Sequence, residues 1–199
     1  MSNVNPKRYQ DAQDKTNREA VNVAAIVSVM AFDSARMTVD VQPISKHLEN
    51  GAYQSQPPIL GVPVSCMRGG GFIFRPWYKQ GDVGWVVYAD HDIDRAVSTG
   101  VESEPNTERN HSTSDAMFVG GIVTGAAPVT GLPDGAAAIS TEDGSVCFAV
   151  MPDKVKILAN VEIDGSVTAS GDVTAGGISL MQHIHGGVEN GPSATSRPQ

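Results

Sequence analysis

The residues best suited to chemistry in this chain are two histidines near its C-terminus. His183 and His185 flank Ile184 and are followed by Gly186 and Gly187. Side chains of an extended chain alternate with period two, so both imidazoles point to the same side. Two imidazoles are too few to hold a transition metal firmly, but three copies on a threefold axis offer six. The spacing therefore predicts a homotrimer whose tip is held together by a bound metal ion.

The predicted site is structural and not catalytic. Imidazole nitrogens suit iron, zinc, nickel or copper, and six of them form an octahedral shell. A shell filled by protein ligands has no open position for water or substrate. The only ionisable residues after His185 are Glu189 and Arg197, so the further ligands of a cupin or amidohydrolase site are missing. No catalytic signature of another kind occurs, and we expect no enzyme.

Three other features carry weaker chemical signals. Residues 90–94 (DHDID) lack the glycine and terminal glutamate of a calcium loop, and we expect a solvated strand end or turn there. Residues 69–71 (GGG) lack the lysine of a phosphate-binding loop and are expected to form a turn. Cys66 and Cys147 are far apart in sequence, which favours two small buried thiols over a disulfide or zinc framework.

The composition excludes some classes of protein. The 199 residues carry a net charge of −8, and no basic run gathers anywhere, which argues against nucleic-acid binding. Only 6% of the residues are aromatic, while 21 are glycine and 12 are proline, a composition typical of short strands and many turns. No apolar segment predicts a secretory signal or a bilayer-spanning helix.

The elements that must position the histidines divide into five predicted segments. Residues 1–19 form a polar arm or a short helix. Residues 20–97 contain about five short strands, which favour a small barrel of the OB type. Residues 98–134 read as a linker and β-rich neck, residues 135–180 as a spike, and residues 181–199 as the metal-binding apex.

The predicted spike carries a short repeat. Apolar residues occupy odd positions from Val155 to Ala175, and the hexad at 165–170 (GSVTAS) is echoed at 171–176 (GDVTAG). Such repeats cannot bury a core alone, so they stack on copies of the chain. The pattern predicts an intertwined trimeric β-helix or β-prism, which also hides strand edges. After Gly176-Gly177 the apolar residues change from odd to even positions, and we expect a bulge or kink there.

The repeat followed by HIHGGV at 183–188 and a Gly-Pro tail resembles the central membrane-piercing spike of contractile-tailed bacteriophages and related injection systems. Looser similarity to the OB-type domain of that family lies at 38–43, 57–64 and 81–86. The resemblance implies an all-β protein with an N-terminal OB-like barrel and a trimeric β-helix. It also implies one iron ion per trimer, bound at the apex by His183 and His185 of three chains, although zinc or another transition metal remains open.

The resemblance also implies partners and a place in the particle. A baseplate hub protein would contact the N-terminal end, the host outer membrane would meet the C-terminal tip, and the protein would belong to the tail baseplate of the virion. Two alternatives stay open from the residues themselves. One is a trimeric receptor-binding fibre, and the other is a hexapeptide-repeat acyltransferase, which would bind an acetyl donor and no metal.

Overall fold

The computed structural model describes residues 21–184, together with residues 7, 10, 11, 13 and 191. The chain divides into two compact units, residues 1–130 and residues 131–199. Strands dominate both units, which confirms the predicted all-β class. One short helix, α1 (Asp94–Thr99), interrupts the described strands, and the described residues of the N-terminal arm are helical. No helix in these ranges is long and apolar enough to cross a bilayer.

The described part of the first unit contains nine strands. They are β1 (Ala24–Asp33), β2 (Thr38–Pro43), β3 (His47–Glu49), β4 (Ala52–Gln54), β5 (Ile59–Pro63), β6 (Met67–Gly69), β7 (Phe72–Phe74), β8 (Val83–Tyr88) and β9 (Ala116–Gly121). Among its described residues, the second unit contains five, which are β10 (Ala137–Ser140), β11 (Cys147–Val150), β12 (Val155–Leu158), β13 (Thr174–Ala175) and β14 (Ile178–Ser179).

Five strands of the first unit form a curled sheet in the order β5-β2-β1-β8-β9, with every neighbouring pair antiparallel. The two edges of the sheet meet where Val64 forms a parallel bridge with Phe118, and the Ser65 amide donates to the Phe118 carbonyl at 2.8 Å. This closure gives a partly open five-stranded barrel, the form predicted for the OB type. The last strand, β9, comes from residues 98–134, which the sequence analysis assigned to a linker and neck.

The barrel core follows from strict alternation along the strands. Inward positions of β1, β2 and β8 carry valines, and β9 adds the ring of Phe118. Valine suits these positions because its branched Cβ packs well on a pleated sheet. A register shift between Val29 and Ala31 marks a bulge in β1, which strengthens the twist that closes the barrel.

Two hairpins of the first unit lie outside this sheet. The β3–β4 hairpin turns at Asn50-Gly51, and the β6–β7 hairpin turns at Gly70-Gly71, where φ is 57° and 84°. Two successive residues at positive φ are the geometry of a tight type I′ turn. The predicted turn at residues 69–71 is therefore confirmed.

The second unit has a three-stranded antiparallel sheet, in the order β10-β11-β12, and a small hairpin, β13–β14. Between Leu158 and Thr174 the chain is described throughout and forms no strand of its own. A single chain thus shows no β-helix within the described residues, and the intertwined spike stays a prediction. The glycine pair at 176–177 was expected to form a bulge or kink, but it reverses the chain, since both residues have positive φ.

Candidate functional site

The predicted metal ligand His183 follows directly from the β13–β14 hairpin. Gly176 and Gly177, at φ of 57° and 84°, form the two-residue turn that pairs Thr174 with Ser179. The Leu180 amide continues the pairing by donating to the Val173 carbonyl at 2.8 Å. The hairpin therefore fixes where the chain leaves β14 at Ser179, four residues before His183.

Hydrogen bonds hold the turn between β14 and His183. The His183 amide donates to the Ser179 carbonyl at 3.1 Å, and the Gln182 amide donates to Ser179 Oγ at 2.9 Å. The Met181 amide donates to Asp172 Oδ1 at 3.1 Å. The pKa of Asp172 is held below its usual value, chiefly by a hydrogen bond from the Ser179 side chain and then by the Met181 amide. The three consecutive amides of residues 181–183 thus find all their hydrogen-bond acceptors on Asp172 and Ser179.

The same turn fixes the tautomer of the His183 ring. Its Nδ1 lies 3.0 Å from the Ser179 carbonyl oxygen and 3.1 Å from that of Leu180. A carbonyl oxygen only accepts, so Nδ1 must carry the proton, and the lone pair of the neutral ring is on Nε2. A backbone carbonyl that holds the second ring nitrogen is a common arrangement for a metal-bound histidine.

His183 is exposed, and its ring therefore fits the predicted role of a metal ligand. Its predicted partner, His185, lies outside the described residues, as do the two glycines that follow it. The pairing of His183 with His185 stays a prediction, and so does the choice of iron.

The sheet of the second unit presents a face made only of apolar side chains. Register places Ile139, Phe148 and Ile157 in one row across the three strands, and Ala137, Val150 and Val155 in the next row. We call these six residues the apolar sheet face. Its five large members, all but Ala137, are between 44% and 59% exposed. On the opposite face Cys147 and Ala149 are buried, whereas Leu158 is 48% exposed.

Apolar exposure continues along the repeat. Large side chains recur on odd positions from 161 to 173 and are 45–70% exposed, at Val161, Ile163, Val167 and Val173. They lie in a segment that forms no strand of its own, so large apolar side chains are exposed where the described chain has no sheet to pack on. Exposed apolar surface is typical of an interaction site.

An ion-pair network occupies the acidic segment at 90–94. Arg109 binds Asp115 through both carboxylate oxygens, at 2.7 Å from Nε and 2.8 Å from Nη2. The same Nη2 lies 3.0 Å from Asp92 Oδ1 and 2.9 Å from Asp94 Oδ2. These three carboxylates could surround a cation, but the guanidinium already lies among them.

The network refines the expectation of a solvated strand end or turn at 90–94. Asp90 and Asp94 are exposed there, as expected, but the Asp92 side chain is fully buried, as is that of Asp115 outside the segment. The hydrogen bonds from Arg109 lower the pKa of Asp115 despite its burial, and the Ile93 amide adds a third donor at 3.0 Å. Sequence reasoning missed Arg109 because it lies 15 residues beyond Asp94 and belongs to no motif. The network joins the start of α1 to the start of β9, and its role is structural.

Comparison with known proteins shows a family to which the barrel is similar. Residues 25–121, just under half of the chain, match the family described as phage protein Gp138 N-terminal domain. The matched segment begins in β1 and ends with β9, so it spans the five-stranded barrel sheet. The match supports a phage structural protein and a component of the virion. Among curated proteins, no significant match to the chain is found.

Proposed function

We propose that this protein is the central baseplate spike of a contractile-tailed phage or a related injection particle. Three chains assemble through the second unit, and their tip pierces the host outer membrane when the tail contracts. One metal ion, bound by His183 and His185 of all three chains, clamps the tip. The phage family match and the position of His183 beside the C-terminal hairpin support the proposal.

The apolar sheet face is the observation that carries the proposal. A single chain leaves six neighbouring apolar side chains in water, which soluble monomers rarely do. Packing three copies of this face around one axis removes these side chains from water. It also brings strands of the other chains beside the segment at 159–173, which forms no strand of its own. Closed symmetric assembly also leaves no strand edge open to aggregation.

The metal supports the assembly where it is weakest. Chain ends are the first part of a fold to open, so a clamp at the tip has its largest effect there. An ion that binds the assembled tip and not the separate chains stabilises the assembly by mass action. The sheath would supply the energy for penetration, so the spike needs no catalytic site.

The barrel is the end that we expect to dock on the baseplate hub. Its β6–β7 hairpin exposes Met67, Phe72 and Ile73, and Trp77 follows at 74% exposure. A projecting hairpin of large apolar side chains suits docking on another protein more than contact with water. The two ends of the chain thus have different proposed partners.

Native mass spectrometry of the purified protein tests the proposal. We expect a trimer that carries one transition-metal ion, and we expect the His183→Ala/His185→Ala double variant to lose the ion. A metal-free trimer would contradict the clamp and favour the receptor-binding fibre. A monomer would contradict the whole architecture. Binding of an acetyl donor without metal would favour the acyltransferase.

A further inference from the structure

We infer that Asp172 and Ser179 are positioning residues that hold His183 in the orientation for metal binding. The inference rests on the proposed metal-clamped tip. It names two residues outside the HxH motif, and both lie in the hairpin that precedes the ligand.

The first step is the link between the repeat and the turn. Asp172 lies just before β13 and reaches across the hairpin to accept the Met181 amide at 3.1 Å. Ser179, the residue that ends β14, also lowers the pKa of this carboxylate through its side chain. By accepting the Met181 amide, the Asp172 carboxylate holds the turn that leads from β14 to His183.

The second step is the link between the turn and the imidazole. Ser179 accepts the Gln182 amide with its hydroxyl oxygen, and its carbonyl oxygen accepts both the His183 amide and His183 Nδ1. His183 is thus attached to Ser179 at two points, through its backbone amide and through its ring, and the ring also contacts the Leu180 carbonyl oxygen. A rotation of the Ser179 peptide would move the ring and its Nε2 together.

This arrangement matters because His183 is exposed and sits near the chain terminus. An exposed imidazole samples several rotamers, and fixing it in one before the metal arrives lowers the entropy lost on binding. Residues that orient a metal ligand through a hydrogen bond commonly contribute 10- to 100-fold to metal affinity. We expect Asp172 and Ser179 to act in this way, without touching the ion.

Asp143 offers a matched control in the same unit. It accepts the Ser145 amide at 3.1 Å, the Ser145 hydroxyl at 2.8 Å and the Thr141 hydroxyl at 2.7 Å. It therefore stabilises an exposed turn with the same kinds of donors as Asp172, but its turn joins β10 to β11. Replacing it removes a similar set of bonds without touching the hairpin that precedes His183.

The experiment uses the full-length protein, stripped of metal and titrated with Co²⁺ against a competing chelator. The variants are Asp172→Ala, Ser179→Ala, Asp172→Asn and the control Asp143→Ala. We expect Asp172→Ala to bind Co²⁺ about 10- to 100-fold more weakly, with shifted visible absorption bands. We expect Ser179→Ala to lose less affinity, because its carbonyl remains. Asp172→Asn keeps an oxygen acceptor, so its affinity and bands should stay close to those of the parent.

The outcomes separate the inference from the proposed function. If Asp172→Ala and Asp143→Ala bind Co²⁺ equally well and with the same spectrum, the positioning role is wrong although the clamp stands. If the parent trimer binds no Co²⁺, Fe²⁺ or Zn²⁺, the clamp itself is wrong and the inference falls with it. Should Asp172→Ala fail to assemble, Ser179→Ala decides the question by the same comparison of affinity and spectrum.

Discussion

The two units of this chain contain similar apolar strands, but these strands are buried in one unit and exposed in the other. Both consist of short strands with valine and isoleucine at alternate positions. In the barrel these side chains point inward, and Val27, Val41 and Val86 are completely buried. In the second unit the corresponding face stays in water, where Ile157 is 50% exposed.

Closure explains the difference. The barrel sheet bends until β5 meets β9 at the Val64–Phe118 bridge, so one chain encloses its own core. Among the described residues, the sheet of β10, β11 and β12 has three strands and no edge that meets another, and its apolar face stays exposed. The alternation of apolar and polar residues along a strand predicts that one face of the sheet is buried. It does not predict whether that face is covered by the same chain or by another copy of it.

The largest expected effect tests whether copies of the chain cover the apolar sheet face. Ile157→Asp places a carboxylate on the edge strand β12 of this face, beside Phe148, and in a trimer it does so three times around one axis. Burying unpaired charges of like sign is strongly unfavourable. We expect the trimer to dissociate into monomers at micromolar concentration, as measured by analytical ultracentrifugation. The barrel of each monomer should remain folded.

Lys156→Asp is the matched control for this substitution. Lys156 is the preceding residue of β12 and pairs with Ala149, so its side chain lies on the opposite face. We expect this variant to stay trimeric. Dissociation of both variants would show that charge alone disrupts the assembly, and a trimeric Ile157→Asp variant would place the contact between chains elsewhere.

The next largest effect concerns the barrel core. Phe118 is completely buried, and its ring packs against Gly84 and lies edge-on to Tyr78 at 5.0 Å between ring centroids. Phe118→Ala leaves a large cavity, and we expect it to reduce the free energy of unfolding by about 3–5 kcal/mol. The fluorescence of Trp77 and Trp85 reports this transition selectively, because both tryptophans lie in the barrel unit.

The assembly should respond differently to this variant. If each barrel buries its own core, Phe118→Ala weakens the barrel and leaves the trimer intact under native conditions. Loss of the trimer together with the tryptophan signal would show that the two units depend on each other. That outcome would break the distinction between a self-contained barrel and a shared spike.

The sequence predicted the features that depend on local patterns. Alternating valines indicated the barrel strands, and the glycine runs indicated the hairpin turns. It predicted β structure within residues 98–134 but did not assign β9 to the barrel, because β9 follows a long polar segment and closes the sheet through contacts distant in sequence. It also missed Arg109, since a buried ion pair depends on residues that only the fold brings together.

The predicted tip shows the same limit. His183 was found from its spacing to His185, a local signal. Asp172, within the repeat, and Ser179, three residues after it, were not, because their role depends on the hairpin that Gly176-Gly177 creates. The glycine pair was expected to bend the strand, and a full reversal brings residue 172 beside residue 181 instead.

A smaller effect tests the ion-pair network of the barrel. Asp115→Asn keeps the shape of the side chain but removes its charge, while Arg109 remains paired with Asp92 and Asp94. Charge-assisted hydrogen bonds contribute about 1.5–3 kcal/mol, so we expect a loss of ~2 kcal/mol in barrel stability. Denaturant unfolding followed by tryptophan fluorescence measures it. A neutral result would show that the remaining two carboxylates suffice for Arg109.

The smallest effect is a pH dependence confined to the second unit. Hydrogen bonds from Thr141 and Ser145 lower the pKa of Asp143 to about 2, from an ordinary value near 3.8. A depressed pKa means that the ionised form stabilises the fold, so its contribution is complete above pH 4 and is lost as the pH falls toward 2. We expect Asp143→Ala to abolish this part of the acid response.

Hydrogen exchange detected by mass spectrometry can follow the two units separately between pH 2 and pH 5, after correction for the intrinsic exchange rate. In the parent protein, protection of β10 and β11 should fall across this range, whereas in Asp143→Ala it should already be low at pH 5 and change little. Barrel peptides should be unaffected by the substitution, because their own acid response depends on Asp115. If the substitution changed barrel protection equally, the two units would unfold as one, and the contrast between a self-enclosed barrel and a shared spike would not extend to their stability.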